Sequence, residues 1–241
     1  MLDVVTLDNL LVLDIETVSE KATYQELSAR GQKLWLEKFT KTAPDCQDVP
    51  AAYPLHAGLY AEFGKIICIS AGYFSTHGVE KKFRIKSFAG DDEAQLLREF
   101  LESLRLFHQR KPLLALCGHN IREFDIPYIC RRAVIHGLEL PEVLRIYGKK
   151  PWEIRMLDTL QLWRFGDHRS YISLDLLAGV LDIPTPKDDI DGSAVAQAYW
   201  NQGALPRIVT YCQKDVLTVA QVILRFCRLP VLNEQNIEIT T

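Results

Sequence analysis

The sequence predicts an α/β fold, a mixed β-sheet flanked by helices. Three observations predict it. Leu11, Val12 and Leu13 form a short continuous apolar run inside Leu10 to Thr17, the pattern of a strand buried on both faces. Lys65 to Phe74 and Lys81 to Phe88 read as two strands, joined through His77-Gly78 into an antiparallel hairpin. Later segments carry apolar residues at helical spacing and alternate with further short strands, giving the order β, β-hairpin, α, β, α, β and then helices. At 241 residues the chain is long enough for one large domain whose core needs no staples. Residues 1–241 are therefore read as a single domain, with a core of about 10–228 and an insertion at about 19–63.

Within the insertion, Ser19 is placed to cap a helix over Glu20 to Phe39, whose Leu27, Leu34, Trp35 and Phe39 can share a face. Thr40 to Pro54 reads as a loop, and Leu55 to Phe63 as a short helical turn. Asp91 and Asp92 are candidate caps for a helix carrying Leu96, Leu97, Phe100, Leu101, Leu104 and Phe107. Leu113 to Gly118 is a second buried strand, followed by a helix over Asp125 to His136 that Gly137 can end. Arg155 to Asp158 reads as a short strand entering a helix at Thr159 to Phe165. Ser173 caps Leu174 to Leu181, and Pro184 and Pro186 interrupt the pattern. Helices follow over Gly192 to Trp200 and Leu205 to Arg228, and the tail after Pro230 is expected to be peripheral.

Composition removes several classes. A hydrophobic content of 48% is that of an ordinary globular protein, and no apolar run approaches the length of a membrane span. Met1-Leu2-Asp3-Val4 lacks the basic region and long apolar core of a secretory signal, and the six cysteines contain no C-x-x-C. A cytoplasmic protein with reduced thiols and no membrane association is expected. The net charge of −3 gives nucleic-acid binding no bulk support. Such a partner has to be met by local basic patches and bound metal.

The chemistry-bearing residues begin at Asp14 and Glu16. Side chains two apart on a strand point to the same face, so both acids project to one side. Two like charges at the rim of an apolar strand repel, and a hard divalent cation removes the repulsion. Two exposed rim acids remain an equal alternative on this stretch alone. Asp125, two residues before Pro127, suits a helix cap as well as a ligand. Tyr211 and Asp215 are four apart on the last long helix and therefore share a face, where a hydrogen-bonded Tyr beside a salt-bridged Asp is the ordinary reading. Asp158 reads as a cap, and Lys187 to Gly192 as a capping loop lacking EF-hand ligand spacing.

Taken together, Asp14-Ile15-Glu16, Asn120 through Phe124-Asp125, and Tyr211 followed by Asp215 resemble the three motifs of the DnaQ-like DEDD exonucleases, in the order that superfamily uses. Tyr211 four residues before the last acid resembles the Tyr-type subclass (DEDDy). The His-type subclass has histidine five residues before that acid, where this chain has Thr210. Asn120, Phe124-Asp125 and Pro127-Tyr128 are most similar to stand-alone exonucleases related to the proofreading domain of family-B DNA polymerases. The resemblance covers about Leu10 to Cys227. The chain ends soon after, so no polymerase domain is expected to follow it.

The resemblance implies a ribonuclease H-like fold and a two-metal 3′–5′ exonuclease. It would act on the 3′ end of single-stranded nucleic acid, DNA favoured, and release nucleoside 5′-monophosphates. Asp14, Glu16, Asp125 and Asp215 would hold two divalent ions, Mg²⁺ or Mn²⁺, and Tyr211 would orient the attacking water. An ordinary phenol, with a pKa of about 10, is a poor base at neutral pH. Thr17, Asn120 and Phe124 are the implied substrate contacts, with a core role equally open to Phe124. Lys81 to Lys86, Arg131-Arg132 and Lys149-Lys150 are basic segments able to follow a phosphate backbone or simply to face solvent. The alternatives are an RNA-directed exoribonuclease and a catalytically silent nucleic-acid-binding module of the same fold.

Overall fold

A computed structural model of the chain describes residues 6–77, 80–167, 169–184, 192 and 194–240. The turn at Gly78 and the acidic stretch 187–191 lie outside the described residues.

Among the described residues the sheet has six strands. In chain order they are β1 (Leu10–Ser19), β2 (Gly64–His77), β3 (Glu80–Ala89), β4 (Ala115–Gly118), β5 (Met156–Asp158) and β6 (Ile237–Thr240), arranged β5-β4-β1-β2-β3-β6. β1 is interior to the sheet, antiparallel to β2 on one side and parallel to β4 on the other. β2 and β3 form the expected antiparallel hairpin. Gly72 of β2 has to be glycine because a Cβ there would sit 2.4 Å from the Phe83 ring.

Because β1 is interior, its alternate residues are buried on opposite faces. Leu11, Leu13 and Ile15 pack with helix α3 (Glu93–Arg110) and helix α4 (Asp125–Ile135) in a core that includes Leu97, Phe100, Ile126 and Ile129. Leu10 and Val12 face the other way, onto Val216, Val219, Ala220 and Ile223 of helix α8 (Leu205–Phe226). The helix expected after Asp91-Asp92 is α3, and Asp92 caps it by accepting the Gln95 N–H at 3.0 Å.

The insertion differs from expectation. Ser19 does not cap a helix: it ends β1, paired with Gly64, and its hydroxyl accepts the Trp200 indole N–H at 3.1 Å. Pairing with β2 keeps the backbone extended, and the first helix starts only after Ser28, which caps α1 (Ala29–Thr42). The expected loop over Thr40 to Pro54 contains most of α2 (Val49–His56), capped by Asp48. Trp35, Phe39 and Tyr53 then build a satellite core of their own.

The remaining α-helices among the described residues are α5 (Thr159–Arg164), α6 (Leu174–Val180) and α7 (Val195–Gln202). Ser173 caps α6 as expected, accepting the Leu176 N–H. The tail lies at the periphery as expected but is a strand: β6 forms the edge of the sheet, paired in parallel with β3, and the Glu238 carboxylate takes Lys82 Nζ at 2.6 Å and Arg84 Nε at 2.7 Å. Four residues of weak alternation gave no local signal, because the charges that fix the strand lie far away in sequence. Among the described residues no helix is long and apolar enough to cross a membrane.

Candidate functional site

The site forms where β1 runs past the end of β4. Parallel pairing stops at Val12–Cys117, and two residues further on Asp14 and Glu16 follow Val12 onto the face covered by α8. On α8, Tyr211, Cys212 and Asp215 lie in the half of the helix before the apolar residues that pack on Val12. The Tyr211 hydroxyl hydrogen-bonds the Asp215 carboxylate. The Cys212 thiol lies 3.5 Å from both the backbone oxygen and Oδ2 of Asp14.

Asp125 arrives from the opposite layer. It is the first residue of α4, with Phe124 at the cap position, so it is not the side-chain cap its sequence context allowed. Its buried carboxylate instead accepts its own N–H and that of Ile15, tying α4 to β1. The lead-in to α4 is held by Asp158 at the end of β5. That buried acid takes the N–H of Asn120 at 3.0 Å and of Arg122 at 3.2 Å, while capping α5 through Leu160. Asn120 is thereby fixed in the left-handed region (φ 63°), and its side-chain oxygen is buried with no partner.

Four carboxylates therefore act on one another. Burial, then Asp125, Glu16 and Asp215, push Asp14 well above the usual carboxylate range, opposed by the Cys212 thiol. Burial and then Asp215 do the same to Glu16. Asp125 is pushed up to about 7, by burial first and by Asp158 and Asp215 after the opposing backbone hydrogen bonds. Tyr211 is raised above an ordinary phenol by burial and by the surrounding acids, Asp215 foremost.

Asp14, Glu16 and Asp125 are buried among acids that push one another up, and a divalent cation relieves that repulsion. Ligand atoms of Asp14, Glu16 and Cys212 all lie within 4.8 Å of one another. Carboxylate oxygens are the ligands hard cations prefer, so the residues fit such an ion.

Beside Glu16 a cleft of about 240 Å³ opens, lined by Thr17, Leu55, Gly58, Leu59 and Phe124 among others. The Thr17 hydroxyl donates to the Gly58 carbonyl at 2.8 Å, and the half-buried Phe124 ring lies 5.4 Å from that of Tyr128. Gly58 lets the insertion close on β1: a Cβ there would stand 3.2 Å from Thr17 O and from Val18. Leu55 and Leu59 remain 71% and 60% exposed at the rim. The insertion thus packs a core of its own and also walls the cleft.

A family model described as "Predicted 3'-5' exonuclease related to the exonuclease domain of PolB" matches residues 59–237, well over half of the chain. The chain belongs to this PolB-exonuclease-related family. A DNA polymerase of Red sea bream iridovirus is 27% identical over 150 residues, covering 54% of this chain and 15% of the polymerase. The family B DNA polymerase of the hyperthermophilic archaeon Pyrobaculum calidifontis is similar in structure, with a TM-score of 0.50 and 16% identity. That likeness covers 91% of this chain and 24% of the polymerase. At that identity it bears on the fold alone, a mixed sheet flanked by helices of the PolB-exonuclease, ribonuclease H-like kind. This chain spans only a small part of both polymerases.

The match to the PolB-exonuclease-related family takes in Asn120, Phe124, Asp125, Tyr211 and Asp215, while Asp14, Glu16 and Thr17 precede it. Geometry joins the two groups, through the Ile15–Asp125 hydrogen bond and the Cys212–Asp14 contact. Sequence reasoning missed Cys212, although three residues before Asp215 on a helix is the same face. It read Asp158 as a cap and missed the two N–H groups the acid holds from the next segment. Of the basic segments, Arg132 is buried against Glu93, and Lys82 and Arg84 are taken up by Glu238.

Proposed function

We propose that this chain is a metal-dependent 3′–5′ exonuclease of the Tyr-type (DEDDy) class. It hydrolyses the terminal phosphodiester of single-stranded nucleic acid and releases nucleoside 5′-monophosphates. The observation that carries the reading is the mutual repulsion of buried acids, Asp14, Glu16 and Asp125 each being pushed up by neighbours that include Asp215. DNA is the favoured substrate, because the relative similar in sequence is a DNA polymerase.

Asp14, Glu16 and Asp215 would hold one divalent ion, and Asp14 with Asp125 a second, Mg²⁺ or Mn²⁺. When bound, the ions supply a lowered water pKa and neutralise charge on the reacting phosphate. The chain's own groups do the rest. Tyr211 stays protonated above neutral pH and orients the attacking water through its hydroxyl oxygen, not as a base. Its bond to Asp215 fixes the phenol's direction. The cleft walled by Leu55, Leu59, Phe124 and Thr17 admits the terminal nucleotide beside Glu16, with apolar surface for a base. Asn120 is held by Asp158 in the segment leading into α4, from which it can contact the strand.

Oligonucleotides labelled at the 5′ or the 3′ end, incubated with Mg²⁺ or Mn²⁺ and with chelator, test the proposal. A ladder shortening from the 3′ end that chelator abolishes supports it. Uncleaved strands under every metal condition, or cleavage that chelator leaves unchanged, contradict it.

A further inference from the structure

Between α4 and β5 the chain makes a tight excursion that none of the chemistry above uses. Leu144 is buried, and Ile146 and Ile154 pack on the main core, so both ends of the excursion are pinned. Its backbone is held by Lys149 N–H to Ile146 O, Glu153 N–H to Lys150 O, and Lys150 N–H to the Glu153 carboxylate. Gly148 takes a left-handed conformation at φ 74° that turns the chain. From this rigid turn Tyr147 projects with its whole side chain exposed, and Trp152 is 77% exposed. Large aromatic rings on a pinned turn are held in water, and that arrangement costs apolar hydration.

The charge around them is mainly positive, the Glu153 carboxylate being turned onto the Lys150 backbone N–H. Lys149, Lys150 and Arg155 are exposed, and no carboxylate pairs with any of them among the described residues. Lys150 Nζ lies 5.3 Å from the centre of the Trp152 ring. In a chain of net charge −3, this turn concentrates cations and two free rings within a few residues. We infer that Tyr147, Lys149, Lys150 and Trp152 form a second, non-catalytic platform that grips single-stranded nucleic acid by stacking bases and pairing phosphates. Stacking on exposed rings beside lysines is how sequence-tolerant single-strand binders work, whereas a protein-binding patch is depleted of lysine.

The platform feeds β5 at Met156, and β5 ends at Asp158, which holds Asn120 at the acidic site. Six residues separate Trp152 from Asp158, a reach of at most about 20 Å of chain. A strand several nucleotides long can span that distance and touch both places. The inference deepens the nuclease reading and rests on it for the identity of the ligand.

The test measures binding of the full chain to labelled oligothymidine of about 20 nucleotides, longer than the ~4–16-nucleotide footprint of common single-strand binders. Chelator is present to prevent cleavage, and dinucleotide hydrolysis with metal is followed in parallel. The double variant Tyr147→Ala/Trp152→Ala is expected to bind the long strand about fivefold or more weakly. Its dinucleotide turnover stays that of the wild type. Lys149→Gln/Lys150→Gln is expected to shrink the salt slope of log K by about 1.4, some 0.7 for each phosphate that no longer meets a lysine. All four side chains face solvent, so folding is not at stake. Unchanged affinity and salt slope in both double variants overturn the platform and leave the rings to a protein partner. So does a wild type that fails to bind the long strand. A wild type that binds through the turn but cuts nothing contradicts the nuclease reading and leaves the platform standing.

Discussion

The Cys212 thiol stands 3.5 Å from Asp14 Oδ2, so the acid at the centre of the cluster is held from α8 as well as from its own strand. The thiol is the one group found to lower the proton affinity of Asp14. Cys212→Ala removes that donor and should move the acidic limb of the activity–pH profile to higher pH. A weak S–H donor is worth less than an ordinary hydrogen bond of about 1 kcal/mol, so the limb should move by under about one pH unit. Cys212→Ser, which keeps a donor, should restore the limb. An identical profile in the alanine variant contradicts the role.

The metal-free protein should lose stability as pH rises. Asp125 is pushed up to about 7 in the folded chain, and Asp14 and Glu16 are also raised. An unfolded aspartate titrates near about 4. A group whose folded pKa is raised contributes stability that is full below the unfolded value and is lost as pH rises through the folded one. Thermal midpoints in chelator should therefore fall between about pH 4 and pH 7, and Mg²⁺ or Mn²⁺ should restore them above that window. Midpoints that are flat with pH and unmoved by metal contradict the account.

The same repulsion makes Asp14→Asn stabilising in chelator at neutral pH. Relief of about 1 kcal/mol would raise the midpoint by roughly 2–4 °C for a chain of this size. Metal should stabilise this variant less than the wild type. Destabilisation by the substitution would mean the acids are compensated by something other than an ion.

Asp158→Ala should be costly for two reasons. It leaves the Asn120, Arg122 and Leu160 N–H groups without their acceptor, and it uncaps α5. Loss of a cap plus orphaned buried donors should cost about 2–4 kcal/mol, readable in urea denaturation. A loss under about 0.5 kcal/mol would show that water replaces the carboxylate.

Leu55→Ala and Leu59→Ala should leave stability nearly unchanged, because both side chains are mostly in solvent. If the cleft receives the terminal base, each should raise KM several-fold while kcat changes little, since the contact is made in ground and transition state alike. Steady-state kinetics on a short oligonucleotide separate the two. A fall in kcat with KM constant would move these residues out of the binding wall.

Much of this architecture was legible locally, and the misses share a physical cause. The apolar run at Leu11 to Leu13 and the alternation at Lys81 to Phe88 each carry their own period, so β1, β2 and β3 could be read from the residues alone. Ser19 looked like a cap because a serine before a helical composition has no local sign of being paired with Gly64. β6 was invisible because its hold on β3 comes from Lys82 and Arg84, about 155 residues away. At the site, Asp125 could be read as cap or ligand until Phe124 took the cap position and Ile15 donated to the carboxylate. Leu55 and Leu59 offered no signal, since an exposed leucine in an insertion means nothing until the cleft is closed by Gly58 against Thr17.

The proposed function stands or falls on whether the four acids turn over a phosphodiester with metal. The most direct measurement is the single-turnover rate of 3′-end cleavage for wild type and Asp14→Asn, both saturated with oligonucleotide and Mn²⁺. Fold and strand binding are checked on the same samples. Asp14→Asn is expected to bind the strand and stay folded while its cleavage rate falls by about a thousandfold or more, as losing a group that acts on transition-state charge should cause. A variant that cuts within a few-fold of the wild type would contradict it.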